Sequence, residues 1–197
     1  MVKELVLAMR PVALVETGSH RGTTTAFLCG LGLPVHTVEV KAQLYFYVHH
    51  RFRRDARVEV AHGDSREYLR KLATRSDFPK VRVLFYLDAH FDAHWGEDLP
   101  LREELRIIRR NWGESIVIID DFEVPDDSGY GFDDYGPGRA LSLSCQPIEE
   151  LEYRIFWPRA RAAEETGERR GCIVLATPDD AAHALRTVTR LRPHTSH

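Results

Sequence analysis

The feature that most constrains this chain is a repeated alternation of short, unbroken apolar runs with amphipathic ones. Val12-Ala13-Leu14-Val15, residues 34–40, Val58-Glu59-Val60-Ala61, residues 81–87 and Ser115-Ile116-Val117-Ile118-Ile119 each read as a strand. Between them lie helical patterns. Thr23 to Leu31 ends near Gly30 and Gly32; Leu44, Val48 and Phe52 share one face of 41–54; Leu69 and Leu72 point inward from 65–75; Leu101, Leu105, Ile108 and Trp112 form a stripe. Strands apolar on both faces, separated by amphipathic helices, require a parallel sheet covered on both sides.

Two later runs, Tyr153 to Trp157 and Cys172 to Leu175, are joined by a charged, glycine-containing stretch without a helical pattern, so an antiparallel pair is expected. The sum is an α/β, Rossmann-like three-layer sandwich whose mostly parallel, seven-stranded sheet ends in an antiparallel C-terminal hairpin. At 197 residues the expectation is a single domain over 1–197, long enough to bury a core without disulfide or metal staples. The net charge of −3 gives no reason to expect nucleic acid or an acidic membrane as partner, and Arg51, Arg53, Arg54 and Arg57 read as a solvated helix end. No run is long enough to span a bilayer and no leader pattern stands at the N-terminus, so a cytoplasmic protein is expected. Cys29, Cys145 and Cys172, widely spaced, read as free thiols.

Open parallel sheets bind ligands outside the carboxyl ends of their strands, at the point where strand order reverses. Here Glu16, Glu39, Asp64, Asp88, Asp120 and Asp121 all sit at or just past such ends. Gly18 and Gly22 permit a tight turn before the helix at Thr23, and Glu39 follows at the spacing that reaches a ribose hydroxyl. The GxGxxG pattern of a dinucleotide site is absent. Glu16 would be a poor neighbour for a pyrophosphate and a good one for a cationic ligand end.

The segment Val15-Glu16-Thr17-Gly18-Ser19-His20-Arg21-Gly22 resembles motif I of the class I S-adenosylmethionine-dependent methyltransferases, closest to the VExGxxRG signature of the macrocin-type metal-dependent O-methyltransferases. The resemblance runs from about Val12 through the final hairpin. It implies a seven-stranded sheet with its last strand reversed and S-adenosylmethionine as cofactor. Glu16 and Gly18 would then hold the methionine end, Glu39 the ribose and Asp64-Ser65 the adenine, with Ser19, Gly22 and Asp88 completing the cofactor site. His20 stands where the general ExGxGxG form has its middle glycine, a departure the macrocin-type subgroup shares.

Asp88 ends one strand and Asp120-Asp121 the next in sequence, so neighbouring strands would bring these carboxylates to one ion. All-oxygen ligands select a hard cation, Mg²⁺ or another divalent ion. The metal-dependent O-methyltransferases are similar, and the carry-over makes Asp88, Asp120 and Asp121 the metal ligands; helix capping is the alternative use of such aspartates. The expected reaction is O-methylation of a small-molecule hydroxyl (sugar, phenol or related metabolite), with Asp88 or His90 taking the proton. Catechol-type enzymes carry a lysine three residues after this aspartate, where Phe91 stands here; Asp92 and His94 are further base candidates.

Asp88-Ala89-His90-Phe91-Asp92 also fits the DxHxD motif of arginase-like ureohydrolases, whose remaining motifs are missing. A non-catalytic S-adenosylmethionine-binding subunit is a third reading. Residues 122–140, with Phe122, Tyr130, Phe132 and Tyr135, are expected as a substrate-side lid facing His94 and Trp95, or as a surface loop packed down by its aromatics. The pattern has almost none of the N-terminal helices that often build acceptor pockets, so the acceptor site is expected to be open or closed by a second subunit of a homo-oligomer.

Overall fold

Strands buried on both faces set the architecture. In the computed structural model, which describes residues 1–90, 99–165, 168–177 and 180–195, β1 (Ala13–Thr17) is buried along its whole length and β5 (Ser115–Asp120) along all but its last residue. Between them come β2 (Val35–Glu39), β3 (Val58–His62) and β4 (Val83–Leu87), each preceded by a helix: α2 (Thr23–Cys29), α3 (Ala42–Phe52) and α4 (Ser65–Thr74) respectively, with α5 (Pro100–Asn111) leading into β5. The helix α1 (Val2–Met9) precedes β1; after β5 come β6 (Arg154–Pro158), β7 (Cys172–Ala176), α6 (Asp180–Leu185) and β8 (Leu191–Pro193).

The strands form one sheet in the order β3-β2-β1-β4-β5-β7-β6-β8. The first five are parallel, while β7 runs antiparallel to both β5 and β6, and β8 antiparallel to β6. Strand order reverses between β1 and β4, so the crevice for a ligand opens beyond Thr17 and Leu87, which are register partners. One core, containing Leu69, Phe85, Leu105, Trp112 and Val117, lies on the α4–α5 side. The other, with Leu5, Leu28, Leu84, Ile116 and Ala182, lies under α1, α2 and α6.

Three features differ from the sequence reading. The sheet has eight strands rather than seven, because Leu191–Pro193 adds a short edge strand, and so β8 joins β7 in running against the parallel set. The helices α1 and α6, with 8 and 6 residues, are too short for a periodic pattern to declare itself; they pack against each other. The segment 122–140 is tied down. Phe122 N–H donates to Gly171 O at 3.0 Å, Gly131 N–H to Arg169 O at 2.8 Å and Leu141 N–H to Asp133 O at 2.9 Å. Phe122 and Tyr130 are buried, so these two aromatics anchor the segment instead of covering a substrate. Among the described residues no helix is long and apolar enough to cross a membrane.

Candidate functional site

The β1–α2 loop is shaped by contacts that only its particular residues allow. Gly18 takes φ +83°, and a Cβ there would lie 2.3 Å from the backbone oxygen of Asp88. The loop therefore touches the end of β4 backbone to backbone. His20 adopts φ +47°, the left-handed conformation otherwise favourable to glycine, which is how a side chain fits where the general motif has glycine. Its N–H donates to Glu39 Oε2 at 2.8 Å, while Lys41 N–H donates to Glu39 Oε1 at 2.9 Å. Glu39 thus fixes both loops at the end of β2.

Glu16 is fully buried in the sheet. Its Oε2 accepts from the hydroxyls of Thr25 at 2.5 Å and Thr37 at 2.6 Å, but Oε1 has no partner among the described residues. Burial pushes its pKa up to about 7, against the lowering by the two threonine hydroxyls. Because the folded value lies above the ordinary 4.5, the folded state holds this proton more tightly than the unfolded chain. Glu16 consequently reduces stability as pH rises from 4.5 to about 7, and the full reduction persists above that. Urea midpoints of the ligand-free protein should fall over that window, and fall less in Glu16→Gln; equal slopes for the two proteins would contradict this.

A cavity of about 290 Å³ opens at the switch point, its wall including Gly18, His20, Glu39, Ser65, Asp88 and Asp121. Glu16, Ser19, Gly22 and Asp64 are not on that wall. Ser19 is buried with its hydroxyl unpartnered, and Gly22, at φ +73°, is the N-cap of α2. Asp64 serves as the N-cap of α4, accepting from Arg66 N–H at 2.8 Å and Glu67 N–H at 3.3 Å, and it is paired with the Arg66 guanidinium at 2.7 Å. Its carboxylate is engaged in capping, the alternative use of a strand-end aspartate.

Asp88 and Asp121 on the cavity wall form a group with His90, ligand atoms of the three all lying within 4.8 Å of one another. The sequence groups Asp88 with Asp120 and Asp121; among the described residues the close group contains Asp88, Asp121 and His90, and Asp120 is not part of it. The reason is strand alternation. Ile116, Ile118 and Asp120 share one face of β5, where the Tyr86 hydroxyl donates to Asp120 Oδ2 at 2.6 Å. Asp121 turns out of the strand at φ +54° and joins Asp88 instead. Its Oδ1 accepts from Arg170 Nε at 2.5 Å, and the same guanidinium holds Asp133, which also accepts from the Tyr135 hydroxyl at 2.5 Å.

The electrostatics follow from crowding. Burial, then the carboxylates of Asp120, Asp121, Glu16 and Asp133, push the Asp88 pKa up to about 8. Burial pushes His90 down to about 4, so the imidazole is neutral near pH 7. His90 is fully enclosed, and neither ring nitrogen makes a hydrogen bond of good geometry with a described residue. The other base candidates, Asp92 and His94, and the proposed lid contact Trp95 lie outside the described residues. Glu104, a fully buried carboxyl on α5, was not singled out from the sequence. Its signal was there: Glu104 lies three residues after Leu101 and four before Ile108, on the helix's apolar stripe.

With this geometry in place, similarity to solved structures becomes informative. The chain superposes on an O-methyltransferase from Bacillus cereus in complex with S-adenosylhomocysteine, with a TM-score of 0.62 and 15% identity over 89% of this chain and 78% of that one. The fold is that of the S-adenosylmethionine-dependent methyltransferases. An amino pentose methyltransferase from Micromonospora echinaspora, bound to S-adenosylmethionine, matches at TM-score 0.57 and 12% identity over 89% of this chain and 88% of that one. A glycopeptide N-methyltransferase complexed with S-adenosylhomocysteine gives 0.54 and 13% over 89% and 86%. No protein-family model and no curated protein matches the sequence.

Proposed function

We propose that this chain is an S-adenosylmethionine-dependent methyltransferase that methylates a hydroxyl of a small molecule, assisted by a divalent cation held by Asp88, His90 and Asp121. The observation that carries the reading is one cavity, at the strand-order switch, with Gly18, Glu39 and Ser65 on its wall together with Asp88 and Asp121. Nucleoside-binding features and a candidate metal cluster therefore adjoin. Solved structures of the same fold hold S-adenosylmethionine or its demethylated product, which supports the cofactor.

The residues fit these groups. Oε1 of Glu16, at the end of β1, and Oγ of Ser19, in the following loop that would take the methionine end, are buried and unpartnered among the described residues. A buried carboxylate oxygen without a partner is costly, and a cationic amino acid end would relieve that cost. With His90 in the cluster the set is no longer all-oxygen: two carboxylates and a neutral imidazole suit Mn²⁺ or another transition metal better than Mg²⁺.

The cofactor supplies an electrophilic methyl group, and a divalent cation would lower the pKa of an acceptor hydroxyl. The protein supplies the rest. Glu39, braced by two backbone N–H groups, retains lone pairs for ribose hydroxyls. Asp88, raised to about 8 by burial and neighbouring carboxylates when no cation is present, would be held as the carboxylate by a bound cation and could then serve as ligand or as base. His90, enclosed and held neutral by a pKa lowered to about 4, is poorly suited to take a proton and better suited to serve as a ligand through a ring nitrogen. Arg170 holds one oxygen of Asp121 and so orients that carboxylate. Helix α1 packs on α6 and contributes nothing to the cavity wall; the acceptor side is open in the monomer or completed by a second copy.

The test is transfer of labelled methyl from S-adenosylmethionine to sugars and phenols, with Mn²⁺ or with a chelator. Transfer that the chelator stops is expected. Cofactor binding without transfer to any acceptor would favour a non-catalytic subunit, and chelator-insensitive transfer to amines would overturn the metal-assisted O-methylation reading.

A further inference from the structure

The carboxylate of Asp133 lies beside the group of Asp88, His90 and Asp121 without belonging to it. One guanidinium accounts for this. Arg170 Nε donates to Asp121 Oδ1 at 2.5 Å, and Arg170 Nη2 donates to Asp133 Oδ1. These two nitrogens share one edge of the planar fork, so the two carboxylates are drawn side by side. Asp133 Oδ2 accepts from the Tyr135 hydroxyl at 2.5 Å, so both oxygens of Asp133 are engaged. The backbone locks the arrangement. Asp133 N–H donates to Asp121 O at 2.9 Å, while Gly131 donates to Arg169 O and accepts from Gly171 N–H, both at 2.8 Å. Gly131 also makes room for the guanidinium, since a Cβ there would stand 3.3 Å from Arg170 Nη1. Asp133 is nevertheless near enough for its charge to act on Asp88 and His90, favouring the protonated form of each. His90, enclosed with both ring nitrogens unpartnered among the described residues, marks the cluster as a ligand set rather than an acidic patch.

Three protein ligands leave a cation open positions for water and for an acceptor hydroxyl, whereas a further carboxylate would bind it more tightly and close one of them. We infer that Arg170, with Tyr135 on the second oxygen, is a positioning residue that keeps Asp133 out of the cation's coordination sphere and so preserves a position for the acceptor. This inference rests on the reading of Asp88, His90 and Asp121 as a cation site. It gives the clasp a distinctive sign: removing a residue that contacts a ligand should tighten cation binding. An Arg170 that served only to orient Asp121 would show the opposite, because losing an outer-shell partner weakens a metal site.

The experiment titrates the full chain with Mn²⁺, reading affinity by electron paramagnetic resonance and coordinated water by water-proton relaxation. Arg170→Gln is expected to bind Mn²⁺ about tenfold more tightly, the scale on which one outer-shell contact acts. It should also carry about one coordinated water fewer, as Asp133 enters, and methyl transfer should fall. The double variant Arg170→Gln, Asp133→Asn should regain the water, since the amide brings no charge to displace it. Arg170→Lys keeps the charge but lacks the planar fork, so it too should lose the water. That variant separates the clasp from a general charge effect, and it serves if the glutamine variant fails to fold. Unchanged or weaker Mn²⁺ binding in Arg170→Gln, unchanged hydration in a folded Arg170 variant, a second ion per chain, or a double variant that does not regain the water would each overturn the inference and leave the cation site standing. Absence of Mn²⁺ binding by the wild type would overturn both.

Discussion

Gly18→Ala is expected to abolish binding of the nucleoside cofactor and to destabilise the fold by about 2–5 kcal/mol, the sum of a left-handed backbone penalty and an overpacked contact. The position has φ +83°, and an added Cβ would meet Asp88 O at 2.3 Å, Asp88 C at 2.7 Å and Ala89 Cα at 2.9 Å. All three are backbone atoms at the end of β4, so no rotamer change makes room. Relief requires separating the β1 loop from β4, which opens the cavity wall on which Gly18 and Asp88 both lie. Gly32→Ala is the matched control. It has φ +82°, but nothing lies within 4 Å of the new Cβ, so it should cost about 1 kcal/mol and bind normally. Urea midpoints and calorimetry on the pair decide the matter; a Gly18 variant behaving like the Gly32 variant would show that the close approach is unimportant.

The second large effect separates the aspartates. Asp88→Asn and Asp121→Asn are expected to weaken Mn²⁺ binding by about tenfold or more and to lower methyl transfer by about 10²-fold or more, since each removes a charged ligand and the first also removes a base. Asp120→Asn should change Mn²⁺ affinity by only about threefold, within the range of a nearby charge whose removal breaks no coordination. Its carboxylate is occupied by Tyr86 and lies outside the cluster of Asp88, His90 and Asp121. Mn²⁺ titration followed by electron paramagnetic resonance reads this directly. If Asp120→Asn proved as damaging as Asp88→Asn, the three-carboxylate arrangement expected from the sequence would return.

The parallel strands were legible because burial on both faces demands unbroken apolar runs, and Ile116 to Ile119 can hardly be anything else. The loop was legible because Gly18 must pass a backbone closely; that Thr25 and Thr37 hold a buried Glu16 was not, since neither threonine carries a mark of that use in the sequence. The choice between Asp120 and Asp121 was not. Alternation along β5 assigns Asp120 to the Tyr86 face, but the left-handed turn that carries Asp121 back to Asp88 leaves no mark on an aspartate. Arg170 was equally hidden, since 49 residues separate it from Asp121 and only the insertion of β7 beside β5 brings them together. The capping use of Asp64 was not legible, because an aspartate before a helix caps it as readily as it binds a base. The short α6 and β8 lack the length over which a period can be read.

On the proposed function, the crevice beyond β1 and β4 holds an S-adenosyl nucleoside. Calorimetric titration of the full chain with S-adenosylhomocysteine tests it most directly. One site per chain is expected, with a dissociation constant of about 1–100 μM, within the common range for enzyme ligands, competed by S-adenosylmethionine and lost in Gly18→Ala. Absence of binding up to about millimolar concentration, the weak limit of specific recognition, in protein shown to be folded, would contradict it.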